Sequence, residues 1–255
     1  MKKLFATLLA LALLASCCAA LAEAPKFEGE GYDSPEAAVE AYIEAFNAGD
    51  AWGMLSTFAV ETAVDHVDQK AVVERMHAWP PATAEATPVF NDYSRDVAIL
   101  ARVGQLVDSL RQSMLTYAWP EDYGEYTGAT VIFKSDNVSE EIEAFYAGFA
   151  ASDFVDWAGK VSVTGYLTPE ELGLAELFQN EKNQTRIEQN RIMYGTDELA
   201  ERAALLNVAG KQGVQFMQCA RFGDRWYNYT TSGNLAILAG INKYCGGLLL
   251  APSER

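Results

Sequence analysis

Apolar residues recur at helical spacing through the first half of this chain and at alternating spacing through much of the second. Val39, Tyr42, Ile43 and Phe46 fall at i, i+3, i+4 and i+7, which is one face of a helix. Ser34 is placed to cap that helix, Pro35 takes its first position, and Glu36 sits beside its positive end. Gly49 is placed to stop it, and Asp50 to cap a short second helix carrying Trp52, Leu55 and Phe58. Val60, Val64, Val67 and Ala71 repeat at i, i+4, i+7 and i+11, predicting a third helix from about Glu61 to His77. Trp79-Pro80-Pro81 ends it, and the Pro/Ala/Thr-rich stretch 80–91 reads as a loop. A long helix follows from about Tyr93 to Tyr117, with Ile99, Val103, Leu106, Leu110 and Met114 as its seam. Another is predicted from Ser139 to Phe149, with Ile142, Phe145, Tyr146 and Phe149 on one face.

The pattern then changes. Val161, Val163 and Gly165 alternate with Ser162 and Thr164, as on a strand. Thr168-Pro169-Glu170-Glu171 has the form of a capping box and opens a helical stretch that ends near Tyr194-Gly195. Three strands are predicted after it, over about Arg202–Val208, Val214–Arg221 and Arg225–Thr230. Ala209-Gly210-Lys211 and Gly223-Asp224 are their turns. The apolar stretch Asn234 to Ile241 is a candidate last helix. Helices first and an antiparallel meander afterwards define an α+β fold, not a doubly wound α/β one.

The first two dozen residues stand outside this pattern. Met1-Lys2-Lys3, an apolar run from Leu4 to Leu14 and then small residues are the order of a secretion signal. The run is shorter than the roughly 20 residues needed to span a bilayer. Ala20-Leu21-Ala22 before Glu23 is a signal-peptidase site, so a soluble domain over 23–255 is expected after a leader over 1–22. Leu14-Ala15-Ser16-Cys17 is the alternative, a lipobox in which Cys17 is acylated and becomes the first residue. Membrane anchoring is expected only in that case, and no spanning segment is expected in the mature chain. Either route places the protein outside the cytoplasm, secreted or attached to the cell envelope.

Charge narrows the partners. The 255 residues hold 19 Lys+Arg against 35 Asp+Glu, a net charge of −16. Nucleic acid and anionic lipid need cations to neutralise phosphates, and both are disfavoured. Half the residues are apolar, enough for a sizeable core. Cys219 and Cys245 are the cysteines left beyond the leader, and they form either one disulfide or two buried thiols. The Asn-x-Ser/Thr matches at Asn137, Asn183 and Asn228 are taken as chance.

Ser34-Pro35-Glu36-Ala37-Ala38-Val39-Glu40-Ala41-Tyr42, followed by Phe46-Asn47-Ala48-Gly49-Asp50, resembles the opening of nuclear transport factor 2-like (cystatin-like cone) domains. Arg221-Phe222-Gly223-Asp224-Arg225-Trp226-Tyr227 resembles their closing hairpin. The chain is also similar to a set of uncharacterised exported proteins of gut Clostridia, in which a Tyr-Gly-x-Asp-Glu segment precedes the sheet, as Tyr194-Gly195-Thr196-Asp197-Glu198 does here. The resemblance covers about 33–60 and 160–241 and implies a curved antiparallel sheet wrapped on helices. The middle, about 61–158, departs from it as a helical insertion. No chemistry follows, because this fold carries enzymes, receptors and assembly modules alike.

Candidate chemistry is sparse. Asp65-His66-Val67-Asp68 could supply a general base and its orienter. Asp65, His66 and Asp68 nonetheless lie off the Val64/Val67/Ala71 face, which makes a solvated helix face the expectation. Two histidines, His66 and His77, about three turns apart, do not make a zinc site, and no metal or cofactor is expected. Trp226, Tyr227, Tyr229 and Phe216 could line an aromatic slot but are expected to pack as core. With a two-residue turn at Gly223-Asp224, Tyr227 pairs with Ala220 and Tyr229 with Gln218. The acidic stretch Glu121 to Tyr126 lacks the spacing of a calcium loop and is expected to be solvated surface. These readings favour a non-catalytic binding or envelope-associated module for a small ligand or an envelope protein. An enzyme using a cone cavity with an Asp/His base is the alternative, and a lipid-anchored surface protein a further one.

Overall fold

The computed structural model describes residues 26–77, 85, 87–117, 142–144, 146–148, 159–241 and 246–250. The alternating half of the chain forms an antiparallel sheet. Its strands β1 (Val161–Tyr166), β2 (Glu198–Val208), β3 (Lys211–Phe222) and β4 (Arg225–Thr230) lie side by side in chain order. β3 is long enough for two partners on its second edge: β4 pairs along 218–222, and β5 (Leu248–Leu250) along 213–215. Nothing in the sequence pattern announced β5. Its approach depends on Gly247, whose φ is +77° and where a Cβ would collide with the carbonyls of Thr231 and Phe216.

The β2–β3 turn is Ala209-Gly210, both with positive φ, the twist that a two-residue hairpin needs. At the β3–β4 turn Phe222 faces Arg225 and Tyr227 faces Ala220, as expected. The expected Tyr229–Gln218 pair does not form. The register shifts between Gln218 and Cys219, and Gln218 faces Thr230. Tyr229 is the extra residue of a bulge, and its carbonyl accepts a hydrogen bond from Arg102 Nη2 at 2.6 Å.

Helices cover both faces of the sheet. On one lies α1 (Pro35–Asn47), capped by Ser34 Oγ, which accepts from Ala37 N at 3.1 Å. Its Val39, Tyr42 and Ile43 join Ala200, Ala204, Leu206, Met217, Cys219 and Trp226 in the main core. α2 (Ala51–Ser56) follows under the Asp50 cap and adds Leu55. On the opposite face Ala203 and Phe216 pack against Leu235 and Ala236 of α8 (Asn234–Leu238). Beside them Ala220, Phe222, Tyr227 and Tyr229 pack on Ala59 and Ala63.

The stretch 61–77 is two helices, not one. α3 (Glu61–His66) ends where Val67 turns extended, and Asp68 caps α4 (Gln69–Met76) by accepting from Ala71 N at 2.9 Å. The freed Asp68 N–H donates to Met193 O at 2.9 Å. That carbonyl belongs to the end of α7 (Glu181–Tyr194), and Gly195 beyond it sits so near His66 that a Cβ would strike the His66 carbonyl. The helix breaks because a capping residue and a tertiary partner meet at one place. α5 (Asp92–Tyr117) runs uninterrupted, with Ile99 and Leu106 buried.

The Thr168/Glu171 capping box forms, Thr168 N donating to Glu171 Oε2 at 2.8 Å and Glu171 N to Thr168 Oγ1 at 3.2 Å. It opens a turn and not the continuous helix expected. Gly173 adopts φ +69°, a short α6 (Ala175–Gln179) follows, and Asn180 caps α7 anew.

Residues 26–33 are built into the fold instead of merely leading to it. Tyr32 and Trp226 exchange backbone hydrogen bonds at 2.8 Å. Glu28, buried, accepts from Val60 N and Thr62 N at 2.8 and 2.9 Å, and so supplies the cap that α3 lacks. Glu61 answers by accepting from Phe27 N and Glu28 N at 2.7 and 3.1 Å.

Trp226 is only 9% exposed, so Trp226→Ala is expected to cost about 3–5 kcal/mol in urea unfolding. Asn228 is fully buried and donates to Ala38 O and Thr57 Oγ1. Asn228→Ala, which orphans those acceptors, is expected to cost about 1–3 kcal/mol. A loss under about 0.5 kcal/mol for either would mean that the sheet does not close on α1 in this way.

Candidate functional site

The three acid–base candidates share a short stretch but not a task. Asp65 binds Arg95 of α5 through both carboxylate oxygens, at 2.6 and 2.7 Å. His66 Nδ1 lies 2.8 Å from Thr62 O, so that nitrogen carries the proton and donates it to its own helix. The ring rests on Phe222, with centroids 5.0 Å apart. Asp68 is the cap of α4. All three are exposed, as their place off the apolar face implied. His77, also exposed, ends α4 in the left-handed conformation. Among the described residues no group of three or more His, Cys, Asp or Glu is placed to hold a metal.

Among the described residues, side chains of the main core pack between α1 and the sheet. Trp226, Tyr227, Tyr229 and Phe216 are all buried and divide between the two faces of the sheet, so they form no common slot. Cys219 is a buried free thiol with Asn228 Oδ1 at 3.5 Å and Pro35 O at 3.8 Å as acceptors. Cys245, the lipidation candidate Cys17, the cleavage pair Ala22/Glu23 and the acidic stretch 121–126 lie outside the described residues.

Besides Glu28, a second buried charge had not been expected from the sequence. Arg102 is 4% exposed. It stands three residues after Ile99 and four before Leu106, on the buried stripe itself, and that spacing was the available signal. Its guanidinium donates to Tyr229 O at 2.6 Å and Ala59 O at 3.3 Å and lies 4.4 Å from the centre of the Tyr229 ring. Tyr194 stacks on the same tyrosine, centroids 4.3 Å apart. The cavity beside them, walled by Ala63, Val64, Val67, Glu85, Arg102 and Tyr229, holds about 10 Å³. That is room for about one water molecule and no substrate.

Two larger hollows among the described residues are open surface grooves. One, of about 700 Å³, runs past Phe27, Thr62, Asp65, Arg95, Asp96 and Leu100. Two of its charges, Asp65 and Arg95, bond each other, and Lys26 pairs with Glu28. The other, of about 660 Å³, lies between α4, α6, α7 and α8 and is bordered by Arg75, Leu177, Lys182, Arg186 and Leu238.

Taken as an architecture, the chain is an α+β protein with an open antiparallel sheet. No protein-family model matches its sequence, and no curated protein does. Among solved structures it is similar to a cystatin-like protein from Ruminococcus gnavus ATCC 29149, with 11% identity and a TM-score of 0.42. The match takes in 86% of this chain and 45% of that one, so the chain spans less than half of that protein's length. No described helix is long and apolar enough to cross a membrane.

The tyrosine cluster has a pH consequence. Burial pushes the Tyr194 phenol up to about 12 and raises Tyr229 and Tyr42 as well. An acid whose folded pKa exceeds its unfolded value, about 10 for tyrosine, favours the fold below that value. The contribution is lost as pH climbs from there through the folded pKa. Stability is therefore expected to fall steeply above pH ~10, and less steeply in Tyr194→Phe. Urea midpoints across that range would show it, and an unchanged slope in the variant would place the effect elsewhere.

Proposed function

We propose that the chain is an exported, extracytoplasmic protein of the cone-domain kind, acting as a non-catalytic binding or envelope-associated module. The observation that carries this reading is the employment of Asp65, His66 and Asp68. Each is committed to a separate structural contact on open surface, with an arginine, a helix carbonyl and a helix start respectively. The Nδ1–H bond leaves the His66 Nε2 lone pair free, but Asp65, His66 and Asp68 stand on open surface, whereas a general base works in a water-poor site. The packing of the described side chains between α1 and the sheet supports the same reading. Export is read from the leader and the Ala20-Leu21-Ala22 site, with acylated Cys17 as the anchored alternative.

Two measurements test this. Expressed with its own leader in a bacterial host, the mature protein is expected outside the cytoplasm with Glu23 as its first residue by intact mass. A diacylglyceryl-Cys17 terminus would make it an anchored lipoprotein, and retention in the cytoplasm with Met1 intact would overturn export. In a melting-temperature screen of small molecules, a ligand that stabilises the protein is expected to be recovered chemically unchanged. Turnover that disappears in His66→Ala would replace the binding reading with the enzymatic one.

A further inference from the structure

Surface arginines in this acidic chain are almost all neutralised. Arg95, Arg111, Arg191, Arg202, Arg221 and Arg225 each bond a carboxylate: Asp65, Asp108, Glu188, Glu36, Glu198 and Asp33. Among the described surface arginines two break the rule, and both border the groove of about 660 Å³ between α4 and α7. Arg75 Nη1 donates to the amide oxygen of Asn190 and to Met193 Sδ. Arg186 Nη2 donates to the amide oxygen of Asn183 at 2.7 Å, and its Nε is buried with no partner among the described residues. Asn183 is itself buried, its amide nitrogen donating to Phe178 O at 2.9 Å, so the group that aims Arg186 is fixed.

The difference is one of charge. A carboxylate both orients a guanidinium and cancels it, whereas an amide oxygen orients it and leaves the positive charge in place. Lys182 adds a third cation to the same wall, and among the described lining residues Glu181 is the one carboxylate. A chain of net charge −16 thus gathers around one groove three cations with no carboxylate partner among the described residues, two of them held by neutral acceptors. Arg75 ties α4 to α7 through its bonds to Asn190 and Met193, but an uncharged donor would make the same tie, and holding such charges together without a counter-ion costs stability. We propose that this groove binds a small organic polyanion, with carboxylate or phosphate groups taken by the forks of Arg75 and Arg186 and by Lys182. The assignment rests on the reading of the chain as a binding module and names the ligand class. Leu177 and Leu238 border the same groove and offer contact to the carbon skeleton of an organic anion.

Isothermal titration of the mature chain with citrate and, separately, with inorganic tripolyphosphate tests this at fixed ionic strength. At least one probe is expected to bind saturably at one site and more weakly as salt is raised. Preference for one probe distinguishes a carboxylate site from a phosphate site. Arg75→Gln and Arg186→Gln are each expected to weaken binding by about tenfold or more. Arg186→Lys is expected to recover part of the loss, and Arg95→Gln, remote from the groove, to change nothing. Unchanged melting temperatures certify the variants as folded. If neither probe saturates, or if binding survives both glutamine substitutions, the polyanion site is wrong. In that event an uncharged ligand bound and recovered unchanged would leave the binding-module reading standing, whereas chemical conversion of a bound ligand would remove that reading instead.

Discussion

The buried amide of Asn228 holds the two halves of this protein together. Its Nδ2 donates to Ala38 O in α1 and to Thr57 Oγ1 at the end of α2, at 2.8 and 3.0 Å. Its backbone N–H donates to Thr57 O, and its carbonyl accepts from Ala59 N. One strand residue therefore satisfies polar groups on two helices and the connection that follows them. Left unmet in a dry core, each such group would cost about 1–3 kcal/mol. The constraint propagates along β4. With Asn228 facing α1, Trp226 must face it too, Tyr227 must face α3, and the bulge at Tyr229 leaves a carbonyl for Arg102.

Carboxylates and cations in this chain serve largely as structural joints. Glu28 and Glu61 cross-cap the N-terminal segment and α3. Glu201 takes the place of a side-chain cap for α8, accepting from Asn234 N at 2.9 Å and Leu235 N at 3.4 Å. Desolvation there raises the Glu201 carboxyl above its ordinary range, against the pull of hydrogen bonds from Asn234, Gln218 and Leu235. A high proportion of acidic residues reads in composition as a solvated surface, and for much of this chain it is. Glu28 and Glu201 are exceptions, because a helix start without its own cap offers bare N–H groups that a carboxylate from elsewhere can meet. Two of the three Asn-x-Ser/Thr asparagines are likewise internal parts: Asn228 at the central joint, and Asn183 behind Arg186.

The candidate sites divide along the same line. That Asp65 and His66 face water was legible from helical phase, since both stand off the Val60/Val64 stripe. What they bond was not. Arg95 reaches Asp65 from 30 residues away, and a heptad count carries no information about it. The polyanion groove was invisible for the same reason. Arg75 and Asn190 are separated by 115 positions, and neither Arg75 nor Arg186 stands in a basic run that would have drawn notice.

What the sequence by itself determined is the punctuation. Ser34 and Asp50 cap, Gly195 and Gly223 turn, and alternation from Val161 onward makes strands, because each of these depends on neighbours within a few residues. The α+β class follows from their order. Only the tertiary structure decided where the periodicity is overruled. The predicted helix over 61–77 breaks at Val67-Asp68 because the end of α7 takes the freed N–H. Tyr229 bulges out of register between Asn228, held by two helices, and Gln218, which faces Thr230. Arg102 enters the core because that bulge supplies a carbonyl to receive it. In each case the decisive partner lies far along the chain, and a local pattern cannot encode which distant group will arrive.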